Sequence, residues 1–508
     1  MSKKDWASAR QEVRPTMKSA LWVFLLAATM PMVTARSMAQ LVGAPKTEGI
    51  VAPSSWDFLE MGPVAAADPW FLACSAFCRF ASVQASPGGA NSPAIAVNPK
   101  NPMQLMAAAN DLTCPTANLG AYGSSDGGST WNHTCLGVLN TVGTGLPSVV
   151  YDLNNNAYFA ATDTDVYPAG ISVGIQKSSD NGTTWGLTIV AVQPEFTPYG
   201  LVNAPWLEID NSTSSPYSGT LYISGTQFDY SLVKTQISVS SSSDGGSTWN
   251  TVEVAPVQLE PKVDQLSRLA IGVDGTIYVA WQRCVMSEQE PNLDCGGTKA
   301  KILMSKSTDG GSTWSTPVRV ATVTLAPDSC NCADFGNLPN TKEPVYNIPV
   351  IAIDNSTGPY AGSLYVVMYN WTGTQMRVQM VTSRNGGTSW GKPVALAPAS
   401  ATHDQFFPAV SVNSSGVVGV SWLDRRNDPA NLRYQPFAAF SKNGGTVFGK
   451  NYALTSGLSN PYLDGYGGIY MGAYTGNAWD VATTFYATWP DSSNQQYMQD
   501  RVGGGTTK

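Results

Sequence analysis

The chain is poor in the residues that several common functions require. Of its 508 residues only 13% are charged, only two are histidine, and the formal net charge is -7. Two histidines, His133 and His403, argue against a multi-histidine metal site and a serine–histidine–aspartate triad. An acidic chain lacks the basic face that a nucleic-acid backbone requires. We therefore expect no metal, no cofactor and no nucleic-acid partner.

The sequence also lacks a long apolar run. The apolar stretch at residues 20–33 follows several basic residues and precedes small residues that end at Ala39. It is too short for a membrane helix, which needs about 20 apolar residues. The order of basic, apolar and small residues predicts a secretory signal at residues 1–39, with a buried N-terminal helix as the alternative. We expect a monomeric protein without a membrane span that is secreted or periplasmic.

Eight cysteines agree with an oxidising compartment, where disulfides persist. They are Cys74, Cys78, Cys114, Cys135, Cys284, Cys295, Cys330 and Cys332. We predict two disulfides among the last four, which flank the loops of one repeat. The pairs Cys114–Cys135 and Cys74–Cys78 would complete the set, although the sequence does not fix the connectivity. Zinc binding is the alternative, but the spacings do not repeat as Cys-x-x-Cys pairs.

Glycine, serine, threonine and tryptophan recur in one octapeptide. Its six copies are Ser124–Trp131, Ser178–Trp185, Ser242–Trp249, Ser307–Trp314, Ser383–Trp390 and Ser441–Phe448. Their third positions are occupied by Asp126, Asp180, Asp244, Asp309, Asn385 and Asn443. A fixed element that returns along the chain at such intervals predicts a repeat architecture.

Each octapeptide has the composition of a hairpin turn. An Asp or Asn side chain can bond the turn backbone, glycine supplies positive φ, and the tryptophan ring begins the next strand. This element is the Asp-box, and the chain resembles the Asp-box (bacterial neuraminidase repeat) β-propellers of the sialidase-like group. The resemblance implies that the six third-position residues are structural rather than catalytic.

A short apolar strand precedes each octapeptide, and a seventh is predicted at residues 467–471. Seven such strands and six octapeptides predict an all-β propeller of four-stranded antiparallel blades. We expect seven blades, with six as the alternative. Residues 40–90 form an arm with a closing strand near residues 77–83, and residues 91–508 form the propeller. Closure by this N-terminal strand would hide the sheet edges.

The loops after the second strand of each blade are predicted to lie opposite the octapeptide turns, on the face where propellers usually bind ligands. Several of these loops combine a tryptophan with charged residues, which suits a sugar because the ring offers a stacking face and the polar groups offer hydrogen bonds. In the alternative, each tryptophan closes a blade core and each aspartate caps a turn. The ligand-face candidates are Trp281, Trp422, Asp111, Asp163, Asp404 and Asp491.

The resemblance also implies a catalytic arrangement. Catalytic sialidases hold the substrate carboxylate with three arginines, and they use a tyrosine backed by a glutamate as nucleophile and an aspartate as acid/base. The candidates here are Arg268, Arg283, Arg425 or Arg426, with Asp424 as acid and Tyr466 as nucleophile; Glu343 and Tyr470 are further candidates.

The family's Arg-Ile-Pro element is missing, because the first inner strand has Asn91-Ser92-Pro93 in that place. The arginines could instead pair with neighbouring aspartates in a surface turn. Two functions remain open. The chain is either a sialidase-like propeller that acts on or binds glycans, as an exo-sialidase-type glycoside hydrolase, or a non-catalytic propeller that binds glycan or protein through this face.

Overall fold

The computed structural model describes residues 81–115, 118–137, 143–165, 170–196, 200–229, 234–286, 295–329, 336–480 and 483–506. The predicted signal segment, most of the arm, and Cys74, Cys78, Cys330 and Cys332 lie outside these ranges. The described residues form β-strands and loops, with one short 3-10 helix at Pro461–Leu463. None of the helices in these ranges has the length and hydropathy to cross a bilayer.

Most of the strands follow one another along the chain in sets of four, and they are numbered in chain order. They are β1 (Ala81–Gln84), β2 (Ala90–Val97), β3 (Leu105–Asp111), β4 (Leu119–Ser124), β5 (Asn132–Cys135), β6 (Gly143–Tyr151), β7 (Ala157–Asp165), β8 (Gly170–Ser178), β9 (Ile189–Val192), β10 (Gly200–Ile209), β11 (Leu221–Asp229), β12 (Lys234–Ser242), β13 (Asn250–Glu253), β14 (Gln258–Leu259) and β15 (Lys262–Ile271). The remainder are β16 (Ile277–Val285), β17 (Lys299–Ser307), β18 (Val318–Thr324), β19 (Val350–Ile353), β20 (Leu364–Trp371), β21 (Met376–Ser383), β22 (Val394–Ala395), β23 (Gln405–Val412), β24 (Val418–Asp424), β25 (Gln435–Ser441), β26 (Tyr452–Ala453), β27 (Gly476–Trp479), β28 (Thr484–Asp491) and β29 (Gln499–Thr506).

The sheets are antiparallel and the protein is a β-propeller. Units 1 and 4–6 are the sheets β2–β5, β15–β18, β19–β22 and β23–β26. Units 2 and 3, β6–β9 and β10–β13, are joined by a single parallel pairing between Leu201 and Ile171, and the short β14 adds to β12. Unit 7 runs β27, β28, β29 and then β1, so the N-terminal strand supplies its outer edge.

The first strands of the units neighbour one another in a closed circle. Within the described residues β2, β6, β10, β15, β19, β23 and β27 each contact the next, and β27 returns to β2. Seven first strands thus follow one another around the circle in the part of the chain that the structure describes. Because successive strands are antiparallel, the turns between third and fourth strands lie on one rim, which we call the octapeptide rim. The loops between second and third strands lie at the other end, which we call the upper face.

A repeated bulge shapes the inner strands near the upper face. The pairing register slips in five units, and the residue inside each slip has positive φ; these residues are Ser92, Leu146, Ala204, Leu266 and Phe407. Positive φ is uncommon outside glycine. A bulge re-aims the side chains that follow it. Trp206 and Arg268 are the first paired residues after the bulges of units 3 and 4.

The prediction of an inner strand at residues 467–471 is wrong. That segment belongs to the connection between units 6 and 7, and the strand itself, β27, begins at Gly476. The cause is Asp464, whose carboxylate accepts the backbone N–H groups of Tyr466, Gly468, Ile469 and Tyr470. Amides that are bound to this carboxylate are not available to a strand ladder.

Candidate functional site

The octapeptide turns satisfy their own polar groups. Asp126 accepts hydrogen bonds from the Thr130 backbone N–H at 2.9 Å and the Thr130 hydroxyl at 2.6 Å, and it also accepts from the Ser124 hydroxyl. The Thr130 bonds, the largest influence, lower the Asp126 pKa to about 2. The same bonds recur around Asp180, Asp244 and Asp309, and Asn385 and Asn443 accept the equivalent backbone bond.

A buried group of tryptophan, aspartate and arginine lies at the upper end of unit 6. Trp422 is 1% exposed and its indole N–H donates to Asp424 at 2.9 Å. Asp424 is fully buried and accepts a 2.5 Å bond from the Arg426 guanidinium and another from the Arg426 backbone. The tryptophan thus closes the blade core and the carboxylate holds the following loop.

Units 4 and 7 repeat this arrangement with different sequence spacing. In unit 4, Arg283 donates two bonds to Asp264, at 2.5 and 2.6 Å, beside the fully buried Trp281. In unit 7, Asp491 accepts from Arg501 at 2.9 Å, two residues after the buried Trp489. The predicted ligand-face residues Trp281, Trp422 and Asp491 therefore lie in the cores or loops of their own blades.

Asp111 is also fully buried. The Tyr122 hydroxyl donates to one of its oxygens at 2.6 Å, and a His133 ring nitrogen lies 3.1 Å from the same oxygen. Thr113 supplies two more bonds, to the other oxygen. His133 also lies close to the sulfurs of Cys114 and Cys135, but these form a disulfide.

A second disulfide joins Cys284 and Cys295. It closes the loop between the second and third strands of unit 4, at the upper face. The Cys114–Cys135 disulfide is the pair that the sequence suggests, and the Cys284–Cys295 disulfide lies within the group of four cysteines whose connectivity the sequence left open.

A second cluster of ionisable side chains, which we call the cap group, lies on the upper face. It consists of Glu343, Asp404, Arg425 and Asp464, and all four are buried. Arg425 lies 3.7 Å from an Asp404 oxygen and donates to the carbonyls of Pro339 and Asn431. Asp404 in turn accepts from the Met376 backbone and the Asn431 amide. These bonds join the start of unit 6 to two neighbouring loops.

Within the cap group, Glu343 has a strongly raised pKa. Burial, with the nearby Asp464 carboxylate as the next cause, raises the Glu343 pKa to about 9. One Glu343 oxygen accepts the Met471 N–H at 2.7 Å, and the acid form shares a hydrogen bond with the Asp464 carboxylate. The neutral acid is therefore the form that this site favours at pH 7.

The two candidate tyrosine nucleophiles lie in the connection between units 6 and 7. The rings of Tyr466 and Tyr470 pack edge to face at 5.5 Å. Burial raises the pKa of both phenols, that of Tyr470 to about 12. A raised pKa lowers the fraction of the reactive phenolate, so this environment does not activate either oxygen.

A third cluster, the channel group, lies on the axis of the ring. Its members Trp206, Glu208, Arg268 and Tyr474 come from units 3 and 4 and from the segment that enters unit 7. The Arg268 guanidinium lies 4.2 Å from the Trp206 ring centre and 4.9 Å from the Tyr474 ring centre. Unit 7 does not adjoin unit 3 or 4 in the circle, so these side chains can meet only across the central channel.

Arg268 is 1% exposed and lacks an ion pair among the described residues. One guanidinium nitrogen donates to the Ser267 carbonyl at 3.0 Å, and Nη2 has no hydrogen-bond partner. Burial lowers the Arg268 pKa to about 10. The guanidinium remains charged at pH 7, and a buried charge without a partner is costly.

Glu208 is the carboxyl group whose negative charge acts on Arg268, although the two do not form an ion pair. It is half-buried, accepts the Trp206 indole N–H at 3.1 Å, and feels the charge of Arg268. Burial raises its pKa to about 7, against a smaller lowering by Trp206 and Arg268. At neutral pH Glu208 is therefore divided between its acid and its carboxylate forms.

The predicted site residues fall into separate places. Arg268 lies in the channel group, Arg425 and Asp404 lie in the cap group, and Arg283 and Asp424 lie within their blades, paired with Asp264 and Arg426 respectively. Asp163 lies in strand β7 of unit 2. Among the described residues, the three candidate arginines thus contact different partners.

Sequence patterns did not indicate Trp206, Glu208 or Tyr474 as site residues. Trp206 and Glu208 are two residues apart on an inner strand, so they share one face. A glutamate on an otherwise apolar inner strand was the available signal. Tyr474 gave none, because it lies just before β27, and the sequence predicts that strand at residues 467–471 instead.

No protein-family model matches the chain, and no curated protein matches it. Solved structures are similar over most of its length. A protein of unknown function from Dyadobacter fermentans is 14% identical, with 72% of this chain and 94% of that chain covered and a TM-score of 0.46. An intramolecular trans-sialidase from Ruminococcus gnavus is 12% identical, with 70% and 95% covered and a TM-score of 0.45. An α-L-arabinofuranosidase from Fusarium graminearum is 14% identical, with 70% and 91% covered and a TM-score of 0.43.

Proposed function

We propose that this protein is an exported sialidase-like propeller that binds acidic glycans, and that the channel group holds the carboxylate of the sugar. One observation carries this proposal. Arg268 is a buried guanidinium that has an unpartnered nitrogen and no ion pair among the described residues. A ligand carboxylate would supply the missing negative charge, and guanidinium binds carboxylate through paired hydrogen bonds.

The neighbours of Arg268 fit the rest of such a ligand. Trp206 is partly exposed, so its ring can pack against the apolar face of a sugar while Tyr474 supports the Arg268 guanidinium. Trp206 and Glu208 are the partly exposed members of the channel group. Glu208 in its acid form can donate a hydrogen bond without repelling an anionic ligand.

Hydrolysis is the second candidate, and Glu208 is the observation that favours it. A carboxyl group with a pKa of about 7 can deliver a proton to a leaving oxygen at neutral pH. In this version Arg268 orients the acidic sugar and Glu208 is the acid. The Tyr474 hydroxyl donates to the Pro147 carbonyl at 2.6 Å, and burial raises the pKa values of Tyr466 and Tyr470, so none of these phenols is activated and a water molecule would attack the anomeric carbon.

The test is calorimetric binding of N-acetylneuraminate and glucuronate, with galactose as the neutral sugar. We expect binding of the acidic sugars by the wild type and a loss of about tenfold or more in Arg268→Gln, because about 1.4 kcal/mol corresponds to tenfold. Arg319→Gln removes an exposed arginine from strand β18 of the same unit and is the matched control. Equal binding of galactose, or an equal loss in the control, would refute the proposal.

A fluorogenic sialoside separates binding from hydrolysis. Turnover by the wild type that disappears in Glu208→Gln, while binding of N-acetylneuraminate persists, would support the hydrolase. Binding without turnover would leave the non-catalytic propeller as the function.

A further inference from the structure

The octapeptide rim is not uniform in charge. The octapeptides of units 1–4 each contain one aspartate and no lysine or arginine. Those of units 5 and 6 have Asn385 and Asn443 in place of the aspartate, and Arg384 and Lys442 one position earlier. Lys392 follows the fifth octapeptide by two residues. One sector of an acidic protein therefore changes from negative to positive.

The turn itself does not require this exchange. Asn385 accepts the Ser389 N–H at 3.0 Å and the Ser383 hydroxyl at 2.9 Å, as the aspartates do in the other turns. Its amide also donates to the Ser389 hydroxyl. The fold is preserved with either residue, so the difference lies in the charge that the rim presents.

A cavity of about 430 Å³ lies in this sector, between the turns of units 5 and 6. We call it the rim cavity. Its lining includes Thr382, Arg384, Asn385, Trp390, Lys392 and Thr446. The volume falls in the usual range for small-ligand sites, about 300–1,000 Å³. Two cations, one indole and several hydroxyl and amide groups are thus brought together.

Arg384 is held in place by the octapeptide turn of unit 6 and by Tyr360 of its own unit. Its guanidinium donates to the Gly444 carbonyl at 3.0 Å and lies 4.6 Å from the Tyr360 ring centre. Lys392 is exposed at the cavity edge. The cavity therefore offers one cation that is fixed by its contacts and a second that is open to water.

The Trp390 indole contributes its ring to the cavity wall, and its N–H is buried. Its N–H has no hydrogen-bond partner, as is also true of the Trp314 indole in unit 4. The corresponding N–H groups of Trp131, Trp185 and Trp249 donate to a glycine carbonyl of their own turn. Of the two octapeptide tryptophans whose indole N–H is unpartnered, Trp390 is the one that lines the cavity beside the cations.

We propose that the rim cavity binds a saccharide that carries one anionic group. Arg384 and Lys392 bind the anion, and the Trp390 ring packs against the sugar. This site is on the opposite end of the ring from the loops of the upper face, and it is independent of the channel group.

The test is calorimetric titration with 3′-sulfolactose, with lactose as the uncharged probe. We expect measurable binding of the sulfated probe and binding weaker by about tenfold or more for lactose and for Arg384→Ser/Lys392→Ser. Lys299→Ser/Lys301→Ser removes two exposed lysines from strand β17 and is the matched control, expected to change affinity by no more than about twofold.

Two further variants keep the result interpretable. Lys392→Ser alone changes an exposed side chain, so it tests the cavity if the double variant fails to fold. Trp390→Leu should weaken binding, whereas Trp131→Leu on the rim of unit 1 should not. The proposal is overturned by an equal loss in the lysine control, by equal binding of lactose, or by no binding at millimolar probe. Arg268→Gln should leave this binding unchanged, which separates the rim cavity from the channel group.

Discussion

The octapeptide rim and the opposite end of the ring use carboxyl groups in opposite ways. On the rim, Asp126, Asp244 and Asp309 are bonded within their own turns, and their pKa values are lowered. In the cap and channel groups, Glu343 and Glu208 are removed from water and their pKa values are raised to about 9 and about 7. Local hydrogen bonds stabilise the charged form in the first case, and burial penalises it in the second.

This contrast separates charged groups that stabilise the fold from charged groups that could bind a ligand. A carboxylate that is satisfied by the residues of its own turn needs no ligand, and its turn can be repeated around the ring. Asp424 and Asp264 are satisfied by an arginine and hold the upper loops in the same structural sense. Arg268 differs from the arginines that pair with these aspartates. It is buried, and it has no ion pair among the described residues.

The largest expected effect on stability is at a buried upper-face carboxylate. Asp424→Ala should lower the free energy of unfolding by about 3–5 kcal/mol, because it leaves the Trp422 indole and the Arg426 guanidinium without their partner. Urea unfolding followed by tryptophan fluorescence measures it. A loss below about 1 kcal/mol would mean that this carboxylate behaves like an exposed ion pair.

The second test uses pH. Between the unfolded carboxyl pKa of about 4.3 and the folded values of about 7 and about 9, the folded state holds more protons than the unfolded state. The free energy of unfolding should therefore fall as pH rises through this window, by up to about 1.4 kcal/mol per pH unit for each group. The rim aspartates act in the other direction, and their contribution is lost as pH falls below about 4.

Glu343→Gln sharpens this pH test. Glutamine resembles the neutral acid that the cap group favours, so the variant should show a shallower decline above pH 7 and keep the Glu208 part below it. Part of the decline above pH 7 remains, because burial also raises the pKa of Asp500, to about 8. Thermal unfolding across pH 4–9 measures both. An unchanged decline above pH 7 would mean that Glu343 is not the group responsible.

The smallest effects belong to the rim. Asp126→Ala should cost about 1 kcal/mol, as the loss of a capping side chain usually does. Asp126→Asn should cost less than about 0.5 kcal/mol, because Asn385 and Asn443 already serve in equivalent turns. The ratio of the two losses, from parallel urea titrations, tests whether hydrogen bonding or charge makes the turn. Equal losses would show that charge is required.

The same contrast explains what could be predicted. The octapeptides repeat, and their bonds join residues within four positions of one another, so the blades could be predicted from the sequence. The closing strand is predicted near residues 77–83, and β1 at Ala81–Gln84 does supply the outer edge of unit 7. The sequence also singled out Trp422 and Asp424. It favoured a role in ligand binding, and the structural role that the two residues have was the alternative.

The channel group could not be predicted in the same way. Trp206, Arg268 and Tyr474 come together across the ring from segments that are distant in sequence, and their positions depend on the inner-strand bulges. Tyr474 was hidden by the incorrect strand at residues 467–471, where Asp464 captures the backbone. Contacts that occur once and join distant segments leave no periodic signal in the sequence.

The most direct test of the channel group is the pH dependence of N-acetylneuraminate binding. A ligand carboxylate beside Arg268 favours the neutral form of Glu208, so affinity should fall as pH rises through about 7. Glu208→Gln should bind with an affinity that no longer changes between pH 6 and 8. Tighter binding on the acid side that disappears in this variant is the predicted result. An affinity that is independent of pH in the wild type, or unchanged by Arg268→Gln, would contradict the assignment of the channel group as a carboxylate site.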